Sequence, residues 1–246
     1  ISLYGPGFKL RKSMNIVIIP ARGGSKRIPR KNIRLFCGKP MLAHSIDTAL
    51  ASGVVDKVVV STDDKDIAQV ARDYGAEVPF LRPPELADDY TGTSPVVRHA
   101  INELLALGWP LDACACIYAT APLLQSEQVS DALRQLEQSS WDYVFTAARY
   151  SFPIQRAIMQ TDKGGVVPFD AFGITQRSQD LPPAFHDAGQ LYWAHYKTWL
   201  DPQKHIFGAN SHMLVLPDYQ VQDIDTPEDW ERAEMLYKLI EQKVQP

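Results

Sequence analysis

The feature that most constrains this chain is an apolar run that ends abruptly in glycine and positive charge. In residues 14–32, MNIVIIPARGGSKRIPRKN, the side chains of Ile16, Val17, Ile18 and Ile19 are β-branched with no polar alternation. That pattern predicts a strand over residues 15–20 covered on both faces, as in a parallel sheet flanked by helices. The loop after it suits a polyanion. Gly23 and Gly24 let backbone N–H groups approach oxyanions, and Arg22, Lys26, Arg27, Arg30 and Lys31 bring positive charge. In open α/β sheets ligands bind beyond the carboxyl ends of the strands, where this loop lies. Neither G-x-G-x-x-G nor G-x-x-x-x-G-K-[ST] is present, so the two commonest phosphate motifs are not the explanation.

The remaining pattern alternates strand and helix. A helix is predicted over residues 40–52, a strand over 57–61, a helix over 65–74 capped from the Thr62, Asp63 and Asp64 cluster, and a third strand over 77–81. A polar loop over 82–93 leads to a helix with Ser94 as its cap and Gly108 as its stop. A strand over 113–119, a helix from Ser126 to about residue 138 and a strand over 142–148 follow. Residues 14–148 thus read as an α/β core with right-handed crossovers. Residues 149–186 lose periodicity and read as a β-rich excursion. Residues 187–246 return to the core through strands at 191–195 and 213–216, then a helix begun at Pro227 with Thr226 as cap and Asp229 at its third position. Residues 1–13 lack a hydrophobic core segment and read as an added leader, a short native extension being the alternative.

Composition narrows the function. The chain has 246 residues, 45% of them apolar, and a net charge of −4; one sizeable core fits this, and a general nucleic-acid binder, which needs a basic surplus, does not. No run approaches the roughly 18 apolar residues of a membrane span. Cys37, Cys114 and Cys116 have neither disulfide nor zinc spacing, which fits a reducing cytoplasm. No G-x-S-x-G is present to support a hydrolase.

Asp223 and Asp225 stand two apart. In an extended segment both side chains face one way and can converge on one cation, although D-I-D alone reads first as a helix cap with a surface charge. Arg82 alone reads first as a surface ion pair with Glu85.

The run PARGGSKRIPRKN, with YATAPLL and RSQDLPPAFHDAGQLYW in the same order further on, resembles the CMP-sugar synthetases, cytidylyltransferases that activate nonulosonic acids, and most closely the branch that takes pseudaminic acid. The resemblance covers about residues 14–242. It implies a Rossmann-like three-layer α/β fold with a mostly parallel sheet, and it makes the excursion a dimerisation element that reaches the neighbour's sugar site in a homodimer. CTP and a nine-carbon sugar acid are the implied substrates. N-acetylneuraminate, legionaminate or Kdo are the alternative sugars, and a non-catalytic nucleotide-binding regulator is a more distant reading. Arg22, Gly23, Gly24, Ser25, Lys26, Lys31, Asn32, Arg82 and Thr93 would bind the nucleotide, with Arg22 and Lys26 on the β- and γ-phosphates. Asp223 and Asp225 would hold Mg²⁺ and, with Arg22 and Lys26, serve catalysis. Arg177, Gln179, His186 and Tyr192 would contact the sugar, His186 standing where the neuraminate enzymes tend to have arginine.

Overall fold

The β-branched run is the inner strand of a six-stranded sheet. The computed structural model describes residues 13–244, so the leader expected over residues 1–13 lies, Ser13 apart, outside them. In chain order come β1 (Met14–Pro20), the short hairpin β2 (Leu35–Phe36) and β3 (Lys39–Pro40), α1 (Met41–Ala51), β4 (Lys57–Ser61), α2 (Lys65–Asp73) and α3 (Thr93–Ala106). Then follow β5 (Leu111–Ile117), α4 (Ser126–Glu137), β6 (Tyr143–Arg149), the hairpin β7 (Ile158–Gln160) and β8 (Val166–Pro168), β9 (Phe185–His195), α5 (Tyr196–Leu200), β10 (Ser211–Leu216) and α6 (Pro227–Val244). The sheet order is β10-β6-β9-β5-β1-β4. Every neighbouring pair is parallel except those that β9 makes with β5 and β6.

Helices cover both faces, which gives the expected three-layer α/β architecture. Alternate side chains of β1 divide between two cores: Val17 and Ile19 pack with Leu42, Ile46, Ile67, Val129 and Leu133 of α1, α2 and α4. Ile16 and Ile18 pack with Val97, Ile101 and Leu104 of α3 and with Trp199 of α5. Full burial of side chains of this size is worth about 1.5–3 kcal/mol each, which is why a run without polar alternation belongs at the centre. A third, smaller cluster joins Ile28, Phe36 and Met41 to Ile224, Trp230 and Ala233. It docks the start of α6 beside the loop that follows β1.

Several elements differ from the sequence expectation. The third strand, expected over 77–81, is a single parallel bridge between Glu77 and Val59; Pro79 has no N–H to continue a ladder. The strand expected from Leu191 starts at Phe185 and runs antiparallel, so the end of the excursion is itself part of the sheet. Helix α3 begins at Thr93 after Gly92, not from a Ser94 cap. Helix α4 is entered from Gln125, in a reciprocal capping box with Gln128. Residues 150–184 hold the β7–β8 hairpin and short 3₁₀ turns, with Phe152 84% and Phe172 74% exposed.

Two predicted caps are present. Asp64 accepts the N–H groups of Asp66 at 2.8 Å and Ile67 at 3.0 Å. Thr226 Oγ1 accepts the Asp229 N–H at 3.2 Å, while Asp229 Oδ2 accepts from the Thr226 N–H at 2.9 Å. Asp64 also takes Arg30 Nη1 at 2.6 Å. Asp64→Ala is therefore expected to cost about 1–2 kcal/mol in a urea unfolding titration, mostly from the lost cap, because the Arg30 pair is solvent-screened.

Candidate active site

The loop after β1, the segment that leads into α3 with the start of that helix, the turn after β5 and Asp225 just before α6 enclose a cavity of about 340 Å³ at the carboxyl edge of the parallel strands. Strands β4 and β5 lie on opposite sides of β1, so the crevice forms where the chain's path across the sheet reverses. Arg22, Lys26, Lys31 and Arg82 line it, as do Asp225 and Thr93. The glycine-basic loop and the D-I-D segment, far apart in sequence, therefore meet at one cavity.

The junction is direct. Lys31 Nζ donates to the Ile224 carbonyl at 2.6 Å and stands 3.3 Å from Asp225 Oδ1. Arg27 Nη2 is 2.8 Å from Asp225 Oδ2. The Asp225 N–H donates to Asp229 Oδ2 at 3.2 Å, which ties this carboxylate to the cap of α6. In the same lining Arg22 Nη1 meets Asp89 Oδ1 at 2.7 Å, and Lys26 Nζ meets Asp89 Oδ2 at 2.5 Å. Asn32 is buried and donates from Nδ2 to the Arg22 carbonyl at 2.9 Å, so it holds the loop in shape as well as lining the cavity.

Arg82 is a buried cation with neutral partners. It is only 5% exposed, its Nε donates to Ser61 Oγ at 3.1 Å, and its Nη2 donates to the Ser61 carbonyl. Burial pushes its pKa down to about 10, which leaves it charged at neutral pH. The ion pair with Glu85 is not formed among the described residues. A desolvated guanidinium facing a cavity is a strong acceptor-seeking group.

Two expectations for the loop need correction. The Gly23 N–H is not free for a ligand: it donates to Asp63 Oδ1 at 3.0 Å. Glycine is required there because a Cβ would come within 2.8 Å of the Asp64 carboxylate. Arg30, counted with the phosphate-binding charges, has a left-handed backbone (φ 56°) and turns away to Asp64 and Asp66. Ser25 does line the cavity, whereas Gly24 has nothing within 4 Å of an added Cβ.

The sugar-site candidates are more dispersed. Arg177 pairs with Asp180 at 2.7 Å within the excursion, and Gln179 lies in the same short turn. His186 Nδ1 contacts the Asp187 carbonyl at 2.9 Å, with its ring against Tyr150. None of the three lines the cavity. Tyr192 comes nearest: its hydroxyl donates to Asp187 Oδ2 at 2.6 Å, and its ring lies 5.4 Å from that of Tyr118. Tyr118 lines the cavity and shares a 2.6 Å hydrogen bond with Thr93 Oγ1. Sequence reasoning missed Tyr118, which looks like one more apolar residue in a buried strand, and Asp89, which looks like loop polarity.

Asp223 and Asp225 are the carboxylates that would hold a divalent cation here. Partial desolvation, followed by the charge of Asp225, raises the Asp223 pKa, so the two carboxylates are close enough to repel. A hard cation with one or two carboxylates and phosphate oxygens as ligands relieves that repulsion. Asp225 faces the cavity, whereas Asp223 is not among its lining residues. Among the described residues no group of three or more His, Cys, Asp or Glu side chains forms a metal cage, so a cation here would draw its other ligands from substrate and water.

A raised folded-state pKa means that the folded protein holds the Asp223 proton more tightly than the unfolded chain. The residue therefore costs stability once pH rises through its folded pKa. Asp223→Asn is expected to raise the melting temperature at pH 7 in metal-free buffer, and the difference should vanish in acid, where both carboxyls are neutral. Thermal melts across pH check this.

The same architecture is found in solved structures. That of CMP:2-keto-3-deoxy-manno-octonic acid synthetase complexed with CTP superposes with a TM-score of 0.67 at 16% identity, covering 94% of this chain and 100% of its own; at that identity the likeness concerns the fold. The sequence carries the relationship further. The cytidylyltransferase family profile matches residues 16–244, and the chain belongs to that family of nucleotidyltransferases. It is 46% identical over 225 residues to the pseudaminic acid cytidylyltransferase of Campylobacter jejuni subsp. jejuni serotype O:2, which spans 92% of this chain and 97% of the relative. It is 32% identical to the CMP-N,N'-diacetyllegionaminic acid synthase of Legionella pneumophila, over 91% of this chain and 96% of that one.

Proposed function

We propose that this enzyme activates pseudaminic acid: the anomeric hydroxyl of the sugar acid attacks the α-phosphorus of CTP, the bond to the β-phosphate breaks, and CMP-pseudaminic acid and pyrophosphate leave. The observation that carries the reading is the convergence of Arg22, Lys26, Lys31, Arg82 and Asp225 on one cavity, in a chain 46% identical to a pseudaminic acid cytidylyltransferase.

The chemistry asks chiefly for charge neutralisation and alignment, because an anionic phosphorus repels its nucleophile. Arg22 and Lys26 hold the β- and γ-phosphates and stabilise the leaving pyrophosphate. Lys31, fixed through the Ile224 carbonyl, serves the α-phosphate, and Asn32 keeps the loop in the shape that presents these groups. Arg82 and Thr93 serve the base and ribose. Asp223 and Asp225 would hold magnesium, which when bound would draw charge from the phosphate oxygens.

For the sugar, Tyr192 acts from within the chain. Arg177, Gln179 and His186 lie on or beside the excursion, whose exposed Phe152, Phe169 and Phe172 suit burial against a second copy. A homodimer in which this segment reaches the neighbouring site is part of the proposal. No helix among the described residues is long and apolar enough to cross a membrane, and we place the reaction in the cytoplasm.

Incubating the protein with CTP, Mg²⁺ and a panel of nonulosonic acids, with products read by mass, is expected to give CMP-pseudaminic acid in preference to the neuraminate, legionaminate and Kdo conjugates. Preference for another sugar would reassign the substrate. CTP binding without pyrophosphate release would point to a regulator. Arg22→Ala should lower kcat by about a hundredfold to a thousandfold, and Asp225→Asn should abolish measurable turnover while the circular dichroism spectrum is retained.

A further inference from the structure

One carboxylate already bridges the two cations assigned to the leaving phosphates. Asp89 Oδ1 lies 2.7 Å from Arg22 Nη1, and Oδ2 lies 2.5 Å from Lys26 Nζ. The same Arg22 nitrogen donates to the Asp88 carbonyl at 2.5 Å, so the residue pair 88–89 grips the guanidinium by backbone and side chain together. The bend that carries it is built for this projection: Asp88 Oδ1 accepts the N–H groups of Tyr90 at 3.0 Å and Thr91 at 2.6 Å. Tyr90 at the tip is 95% exposed, so the bend gains little from packing there. Its attachment to the core on this side runs through Arg22 and Lys26.

A carboxylate and a phosphate oxyanion ask for the same donors. If both occupied the space between Arg22 and Lys26, like charges would stand within a few Å of each other in a partly desolvated cavity. One must yield. The contact is also of a strength that can yield, because the Arg22 side chain is 33% exposed and that of Lys26 81% exposed, and ion pairs this wet are weak.

We propose that Asp89 is an internal counter-ion that sets the affinity of the polyphosphate subsite: it holds Arg22 and Lys26 between turnovers, and pyrophosphate or a nucleotide triphosphate displaces it together with the bend at residues 88–91. The proposal rests on the reading that Arg22 and Lys26 bind phosphates. No bond is made or broken in the exchange. Two ion pairs inside the protein are replaced by two to the ligand, and the returning carboxylate helps to expel pyrophosphate after transfer.

The test is calorimetric titration of inorganic pyrophosphate into the full chain and its Asp89→Asn and Asp89→Ala variants at low salt, with a thermal melt of each. Both variants are expected to bind pyrophosphate roughly three- to tenfold more tightly than the unaltered protein, with the gain shrinking as salt rises. Equal or weaker binding in both variants, while the unaltered protein binds, would overturn the counter-ion role and make Asp89 an organiser of the cations. Absence of binding in all three proteins would instead overturn the phosphate role of Arg22 and Lys26, and this inference with it.

Discussion

The site depends on one long-range attachment. Lys31 reaches the Ile224 carbonyl, and beneath that hydrogen bond Ile28 and Phe36 pack against Ile224 and Trp230, with the Phe36 and Trp230 rings 5.4 Å apart. Apolar burial supplies the energy of this joint, and the polar contact supplies its register. Without it the acidic segment before α6 has no reason to lie beside the loop after β1. The α6 cap extends the same control to the chemistry, since Asp229 binds the backbone N–H of Asp225 as well as that of Thr226.

Charge is then distributed over this frame with little left idle. Arg22 and Lys26 face Asp89, Arg27 and Lys31 face Asp225, and Arg30 is committed to Asp64 and Asp66. A loop with five cations would repel itself if left bare, and local carboxylates relieve that without filling the cavity. The lysine hydrogen bond, with the charges of Lys26 and Arg22 behind it, holds the Asp89 carboxyl below the usual range, so these pairs persist further into acid than those of an ordinary aspartate. Arg82 stands apart because its partners are the neutral Ser61 groups. It is the cation most committed to the cavity by burial and least committed by charge.

Much of the fold was legible because it follows from local chemistry. The uniform β-branched run of β1 could only be an inner strand, and the cluster at Thr62, Asp63 and Asp64 and the residue Thr226 announced their helices by side-chain capping. What was hidden needed tertiary information. The strand expected over 77–81 shrinks to one bridge at Glu77 because Pro79 ends the ladder, and β9 begins at Phe185 because β6 offers it a pairing edge that no local pattern reveals. In the site, residue types were readable and directions were not. Arg27 and Arg30 look alike in the sequence, yet a left-handed backbone at Arg30 sends one of them to α2. Gly23 serves the Asp64 side chain rather than a ligand. Asp89 and Tyr118 gain meaning only when the loop and the end of β5 close on the same space.

The joint between Lys31 and Ile224 spans 193 positions in the chain, which sets an order of events during biosynthesis. The cationic loop leaves the ribosome long before the apolar segment that locks it, which emerges after all six strands of the main sheet. A growing chain can therefore assemble most of its sheet as synthesis proceeds from the N-terminus, yet it carries an unfinished crevice until α6 docks. The crevice is closed only after its scaffold has formed.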